Sequence, residues 1–179
     1  MKEYKVFIIS QDNFLTFKDR LIEIYLNSFT SGDFAQYISA EEAEKTWLKY
    51  AEIGKIYVAL WDEQLVGALV AFPLTFDEDF PARKDISEEN TLYIAELMTD
   101  KAFQNKGFGT FLVKYFLENR DKVNYPTVAI RVWDKNTPAL SLYQKLGFQH
   151  TGISIIQKKH RTENETFTMR KNYLLKLRD

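Results

Sequence analysis

An apolar run, Leu92 to Met98, leads into Gln104-Asn105-Lys106-Gly107-Phe108-Gly109-Thr110, and the last residues of that stretch open an amphipathic helical pattern. A chain that passes from strand through a glycine-bearing loop into a helix gathers unpartnered N–H groups and the positive end of the helix dipole at one place. An anion such as phosphate satisfies both. Gly107 and Gly109 lack the Cβ atoms that would hold a pyrophosphate away from those N–H groups, and they allow backbone angles other residues resist. In the helix, Phe108, Phe111, Leu112, Tyr115 and Phe116 recur at i, i+3, i+4, i+7 and i+8 as a packing face, with Thr110, Lys114 and Glu118 opposite.

Two common phosphate loops fail against these residues. A P-loop needs a Lys after its second glycine, but Lys106 precedes Gly107; a dinucleotide fingerprint needs a third glycine where Leu112 stands. A second segment follows: Thr127-Val128-Ala129-Ile130-Arg131-Val132-Trp133-Asp134, then Asn136 and a helical stretch ending Tyr143-Gln144-Lys145-Leu146-Gly147-Phe148. Gln104, Gly107 and Gly109 resemble the Q/R-x-x-G-x-G/A acyl-CoA loop of the GNAT acetyltransferase superfamily. The downstream segment resembles the strand, Asn-containing turn, helix and Tyr-x-x-x-Gly-Phe ending of the same enzymes. Together they cover residues 91 to 149; the first ninety residues carry no comparable signature.

The rest of the chain is compatible with that resemblance. Lys5 to Ile9 reads as a strand, Leu15 to Phe29 as a helix, and Ser39 as the start of a second helix that ends near Ile53 before Gly54. Ile56 to Trp61 and Leu65 to Phe72 form a hairpin around Asp62-Glu63-Gln64. Residues 73 to 90 are turn-rich and acidic, Thr91 to Met98 and 127 to 133 are strands, and 138 to 146 is a short helix. Gly152 to Lys159 and Glu165 to Lys171 close the chain as an antiparallel pair, with Arg161 to Asn164 as its turn. The sum is one α+β domain over residues 1–179. It is a GNAT-like fold with one twisted, mostly antiparallel sheet of about seven strands flanked by helices.

Composition narrows the function. The formal charge of −1 argues against a protein that coats nucleic acid. Without cysteine there are no disulfides, thiolate metal sites or thiol nucleophiles. The polar start at Met1 to Lys5 and the lack of a long apolar run point to a cytoplasmic protein with no membrane partner. His150 and His160 lack a cluster of acids around them, so no metal is expected.

The resemblance implies acetyl-CoA as co-substrate and an amine acceptor on a small molecule or peptide, attacked directly in a ternary complex; it leaves a homodimer open. The cofactor would be held by Gln104, Asn105, Lys106, Gly107, Phe108, Gly109 and Thr110, by the strand edge at Leu97, Met98 and Thr99, and by Asn136 and Tyr143. The Met98 amide is the implied oxyanion donor. Tyr143 aligns with the family's general acid, and a phenol of pKa ~10 keeps its proton at neutral pH; the alternative is a tyrosine packed beside Leu142 and Leu146. Asn136 is equally suited to capping. The amine, of pKa ~10.4, needs a base, and Glu96 is the candidate: alternation groups this acid with Leu92, Ile94 and Met98 on an apolar face. The acidic stretch Asp77 to Glu89 would suit a cationic acceptor such as a polyamine, an aminoglycoside or a lysine-rich peptide. Phe29, Phe34, Tyr37, Trp47 and Tyr50 either line the acceptor cleft or pack the core. A non-catalytic acyl-CoA-binding module on the same fold is the competing reading; it would keep the loop without needing Glu96 or Tyr143.

Overall fold

Gln64–Pro73, written QLVGALVAFP, is buried on both faces over most of its length, as a strand covered on two sides must be. The computed structural model describes residues 4–32 and 35–177; Phe34 lies outside them. The elements in chain order are β1 (Tyr4–Ile9), α1 (Phe14–Phe29), α2 (Ala40–Ile53), β2 (Lys55–Trp61), β3 (Gln64–Pro73), β4 (Thr91–Thr99), α3 (Phe108–Asn119), β5 (Thr127–Trp133), α4 (Thr137–Lys145), β6 (Gln149–His160) and β7 (Thr166–Lys176).

The strands form one seven-stranded sheet in the order β1-β2-β3-β4-β5-β7-β6. Only β4 and β5 run parallel; every other pairing is antiparallel. One face packs α1 and α2 through Leu21, Ile24, Ala43 and Trp47 against Val58, Ala68, Val70 and Met98. The other packs α3 and α4 through Leu112, Phe116 and Tyr143 against Leu69, Ala71, Ile94 and Val128.

Local rules set the ends of α2. The Ser39 hydroxyl accepts from the Glu42 N–H at 3.1 Å, and Gly54 follows the last turn. Ser39→Ala should cost about 1 kcal/mol, read as a Tm lower by roughly 2–4 °C in thermal unfolding.

The packing face of α3 is rotated from the one the sequence spacing predicts. Phe108, Leu112, Val113, Phe116 and Leu117 are buried, whereas Phe111 is 41% exposed and Tyr115 only partly covered. Phe111 instead meets the Tyr4 ring edge-on at the sheet margin. Both faces of this helix are apolar enough that periodicity alone could not choose between them.

The strand β4 departs from simple alternation. Opposite β3, Glu96 pairs with Val70 and Ile94 with Ala71, so Ala95 is an extra residue without a partner, a β-bulge. Leu92, Ile94 and Leu97 therefore face α3 and α4, while Tyr93 and Met98 face α1 and α2. Glu96 shares the Tyr93 and Met98 face, not the Leu92 and Ile94 face that unbroken alternation assigned to it.

Candidate active site

Beside the bulge, β4 separates from β5. The parallel ladder runs only from Thr91↔Thr127 to Ile94↔Ile130, although β4 continues to Thr99 and β5 to Trp133. Past Ile94 the β4 backbone has β3 on one side and, among the described residues, no strand on the other. The open side carries the peptide groups of alternate residues. Asp100 N–H donates to the Val66 carbonyl at 2.7 Å, and a Cβ on Gly67 would meet the Met98 carbonyl oxygen at 2.9 Å. With Thr99↔Gly67 and Met98↔Ala68 in register, the Met98 peptide groups point to β3, and those of Leu97 and Thr99 point to the gap. The expected Met98 amide is thus turned away from the open edge, a shift of one residue that backbone alternation settles and side-chain pattern does not.

The loop after β4 has the backbone its glycines suggested. Gly107 caps α3 at φ 85 and Asn105 also sits in the left-handed region at φ 60. The first N–H bonded within the helix is that of Phe111, to the Gly107 carbonyl, which leaves the N–H groups of Phe108, Gly109 and Thr110 to a ligand or solvent. A Cβ on Gly109 would lie 3.7 Å from the Thr99 hydroxyl and 3.8 Å from a Leu97 methyl. Ordinary contact distances mean that packing does not demand glycine there; a side chain would instead fill the space between the open β4 edge and the helix end. An extended phosphorylated cofactor fits this arrangement of edge, gap and N-terminus.

Neighbouring side chains brace the loop. Arg20 on α1 is ion-paired with Asp100, and Gln104 Nε2 donates to the Thr99 carbonyl at 3.4 Å. The Lys106 ammonium folds back onto the Ala102 carbonyl at 3.1 Å, over the Phe103 ring. Asn136 caps α4, its side-chain oxygen accepting from the Ala139 N–H at 3.2 Å; capping is what the described contacts assign to it.

The separation of β4 and β5 opens into a cleft of about 900 Å³ lined from both faces of the sheet, with Tyr50, Glu96, Leu97, Asn136, Tyr143 and Lys171 among its walls. Tyr143 is nearly fully buried, its ring edge-on to Phe148 at 5.3 Å. Burial first, and then the negative charge of Glu96, hold its phenol above the usual range. The hydroxyl and the carboxylate thus act on one another across the cleft. Glu96 accepts a hydrogen bond from the Tyr50 hydroxyl at 2.8 Å. Burial raises its pKa; the Tyr50 bond and the charges of Lys171, Lys159 and Arg131 oppose the rise.

The acids of the 77–89 stretch that line the cleft, Asp77, Glu78 and Asp79, are engaged with other side chains. Asp77 and Asp79 accept from the Arg131 guanidinium at 3.2 and 3.0 Å, Asp77 also from the Tyr173 hydroxyl at 2.7 Å, and Asp79 from Gln157 at 2.6 Å. Glu78 stands 3.6 Å from Lys49, and Asp85 is ion-paired with Arg83. Of the aromatic candidates, Phe29 and Tyr50 line the cleft, Trp47 is core, and the Tyr37 hydroxyl binds Glu163 at 2.9 Å near the β6–β7 turn.

Sequence reading did not place Lys171 in the cleft. The run Lys158 to Arg161 reads from sequence as a solvated hairpin end that could also assist an anionic partner; in the structure Lys159 turns inward while Lys158 is exposed. Lys171 alternates with Phe167, Met169 and Tyr173 on β7, a charge among apolar neighbours, which is the same signal that singled out Glu96.

Residues 18–148 match the model of the acetyltransferase (GNAT) family. An N-alpha-acetyltransferase 40 of Saccharomyces cerevisiae is 30% identical over 53% of this chain and 36% of its own length. The uncharacterized N-acetyltransferase YvbK of Bacillus subtilis is 29% identical over 59% of each. The chain therefore spans well under two thirds of these curated relatives. The structure of yncA from Salmonella typhimurium with its cofactor acetyl-CoA superposes with a TM-score of 0.65 at 10% identity, covering 99% of this chain and 95% of that one, a likeness of fold.

Proposed function

Because the chain belongs to the acetyltransferase (GNAT) family, we propose that its cleft passes an acetyl group from acetyl-CoA directly to an amine in a ternary complex. The observation that carries this reading is the open β4 edge ending at a glycine-capped helix N-terminus, with Tyr143 and Glu96 in one cleft beside it. When bound, acetyl-CoA supplies an activated thioester with a sulfur leaving group. The loop from Gln104 through Asn105, Lys106, Gly107, Phe108 and Gly109 to Thr110 would hold its pyrophosphate. The peptide groups of Leu97 and Thr99, spaced by Met98, would pair with its extended arm, and Asn136 and Tyr143 would flank it from α4.

Three tasks then fall to this chain's own groups. The Leu97 N–H, on the open edge, is aimed to stabilise negative charge on the carbonyl oxygen. Glu96, open to the cleft, draws the proton from the acceptor ammonium in its carboxylate form, directly or through water. Tyr143, kept protonated by its burial, gives its proton to the departing sulfur.

Tyr50 tunes the base. Its hydrogen bond favours the ionised form of Glu96, so Tyr50→Phe should let the pKa climb further, and the acid limb of the kcat/KM profile should move to higher pH by about one unit. An unmoved limb would remove Glu96 as the base.

The reading is tested by calorimetric titration with acetyl-CoA, followed by release of CoA thiol in the presence of amines. Binding near micromolar, about −8 kcal/mol, with amine-dependent thiol release supports the enzyme. Binding without release from any amine leaves a carrier or regulatory module, and no binding overturns both.

A further inference from the structure

Several of the charges that line the cleft are engaged within its wall. Arg131 is held by Asp77 and Asp79, and Lys49 stands by Glu78, so these neutralise one another within the wall. Lys171 and Lys159 differ: among the described residues neither ammonium has an ion-pair or hydrogen-bond partner. Both nevertheless face inward. The β6–β7 register pairs Lys171 with Ile155 and Met169 with Gln157, and Lys159 follows Gln157 by two, so Lys171, Met169, Gln157 and Lys159 share the face that lines the cleft. Their sequence neighbours Lys158 and Arg170 are exposed. A lysine that loses water without gaining an anion is destabilised in its charged form. Burial and the charges of Lys159 and Arg131 accordingly bring the Lys171 pKa down to about 8, against the opposite pull of Glu96 and Asp79.

We propose that Lys171 and Lys159 are the receptor for a carboxylate on the acceptor, so that the substrate is an amino acid or another amine bearing its own carboxylate. This rests on the acetyl-transfer reading of the cleft. Glu96 looks into the same space from β4, so the two ends of such an acceptor meet opposite charges: the ammonium lies toward Glu96 and the carboxylate toward Lys171. Glu96 acts on both ammonium groups across the cleft without an ion pair to either, so an acceptor carboxylate can be their direct counter-ion. A polyamine would bring its second positive charge against Lys159 and Lys171 while the acids of residues 77–79 are engaged with Arg131, Gln157, Tyr173 and Lys49.

The test supplies wild type, Lys171→Gln, Lys159→Gln and Lys171→Arg with saturating acetyl-CoA. The acceptors are the proteinogenic L-α-amino acids, β-alanine and γ-aminobutyrate, each beside its primary amide, with spermidine as the polycation. Release of CoA thiol is followed. In wild type, at least one carboxylate acceptor should exceed its amide and spermidine in kcat/KM by about tenfold or more. That ratio should fall toward one in Lys171→Gln, mainly through KM, fall partly in Lys159→Gln and survive in Lys171→Arg. A second readout needs no turnover: with CoA present, the N-acetylated form of the best acceptor should raise the Tm of wild type, and its amide should not. Lys171→Gln should lose that shift. Amides or spermidine used as well as the carboxylates, by a protein that binds acetyl-CoA, would overturn this inference and leave acetyl transfer standing. Failure to bind acetyl-CoA in the titration would overturn the acetyl-transfer reading itself.

Discussion

Gly109→Val should weaken acetyl-CoA binding by about 100-fold or more while leaving the free protein folded with a nearly unchanged Tm. The separation of the two effects follows from the contacts. Gly109 has no positive φ, and its Cβ would meet only the Thr99 hydroxyl and a Leu97 methyl at ordinary distances. Valine is no worse than glycine inside a helix. The added methyl groups stand where, on the proposed reading, an extended cofactor would pass between the β4 edge and the first turn of α3. Gly107→Val provides the contrast. At φ 85 its strain, about 1–2 kcal/mol, appears in the free protein, so binding and Tm should fall together. Titration and thermal unfolding of both variants make the check; full affinity in Gly109→Val would show that the cofactor does not use this gap.

Tyr143→Phe should lower kcat by about 100-fold, within the range for loss of a positioned general acid. Its KM values should change little. The ring packs against Phe148 in either variant, and among the described residues no group bonds the hydroxyl, so the substitution leaves the core intact. A rate unaltered by the change would mean that the sulfur takes its proton from water and that Tyr143 serves packing alone. The acceptor matters to the design. An amine whose attack, not sulfur departure, limits the rate would hide the effect, so it is measured with the fastest acceptor and with single-turnover kinetics.

The sheet, the helices and the glycine-bearing loop ahead of α3 were legible because each rests on local rules. A continuous apolar run marks β3, Ser39 caps α2, and Gly107 marks the turn into α3. The cleft wall was legible where a side chain sat at odds with its surroundings, as Glu96 does. It was obscure where the answer depends on pairing between distant segments. The bulge at Ala95 reverses the facing of Glu96 relative to Leu92 and Ile94, and no composition signal announces it. Which β4 amides stay open depends on the hydrogen bond from Asp100 to Val66, a contact across strands. The acids at 77 and 79 read as free charge until Arg131, Gln157 and Tyr173 are brought to them from 50 or more residues away in sequence.

Ala95 has one more implication, for how this protein could be made worse by being made tidier. Deleting it would let Ile94 and Glu96 follow one another in a regular ladder opposite Ala71 and Val70. A straighter strand could then stay beside β5 past Ile130, adding backbone bonds where now there is an open edge. Ordinary selection for stability would favour that closure, and on the proposed reading acetyl transfer would end with it. The retained irregularity is thus a trade of order for access, held by a residue whose presence counts for more than its side chain.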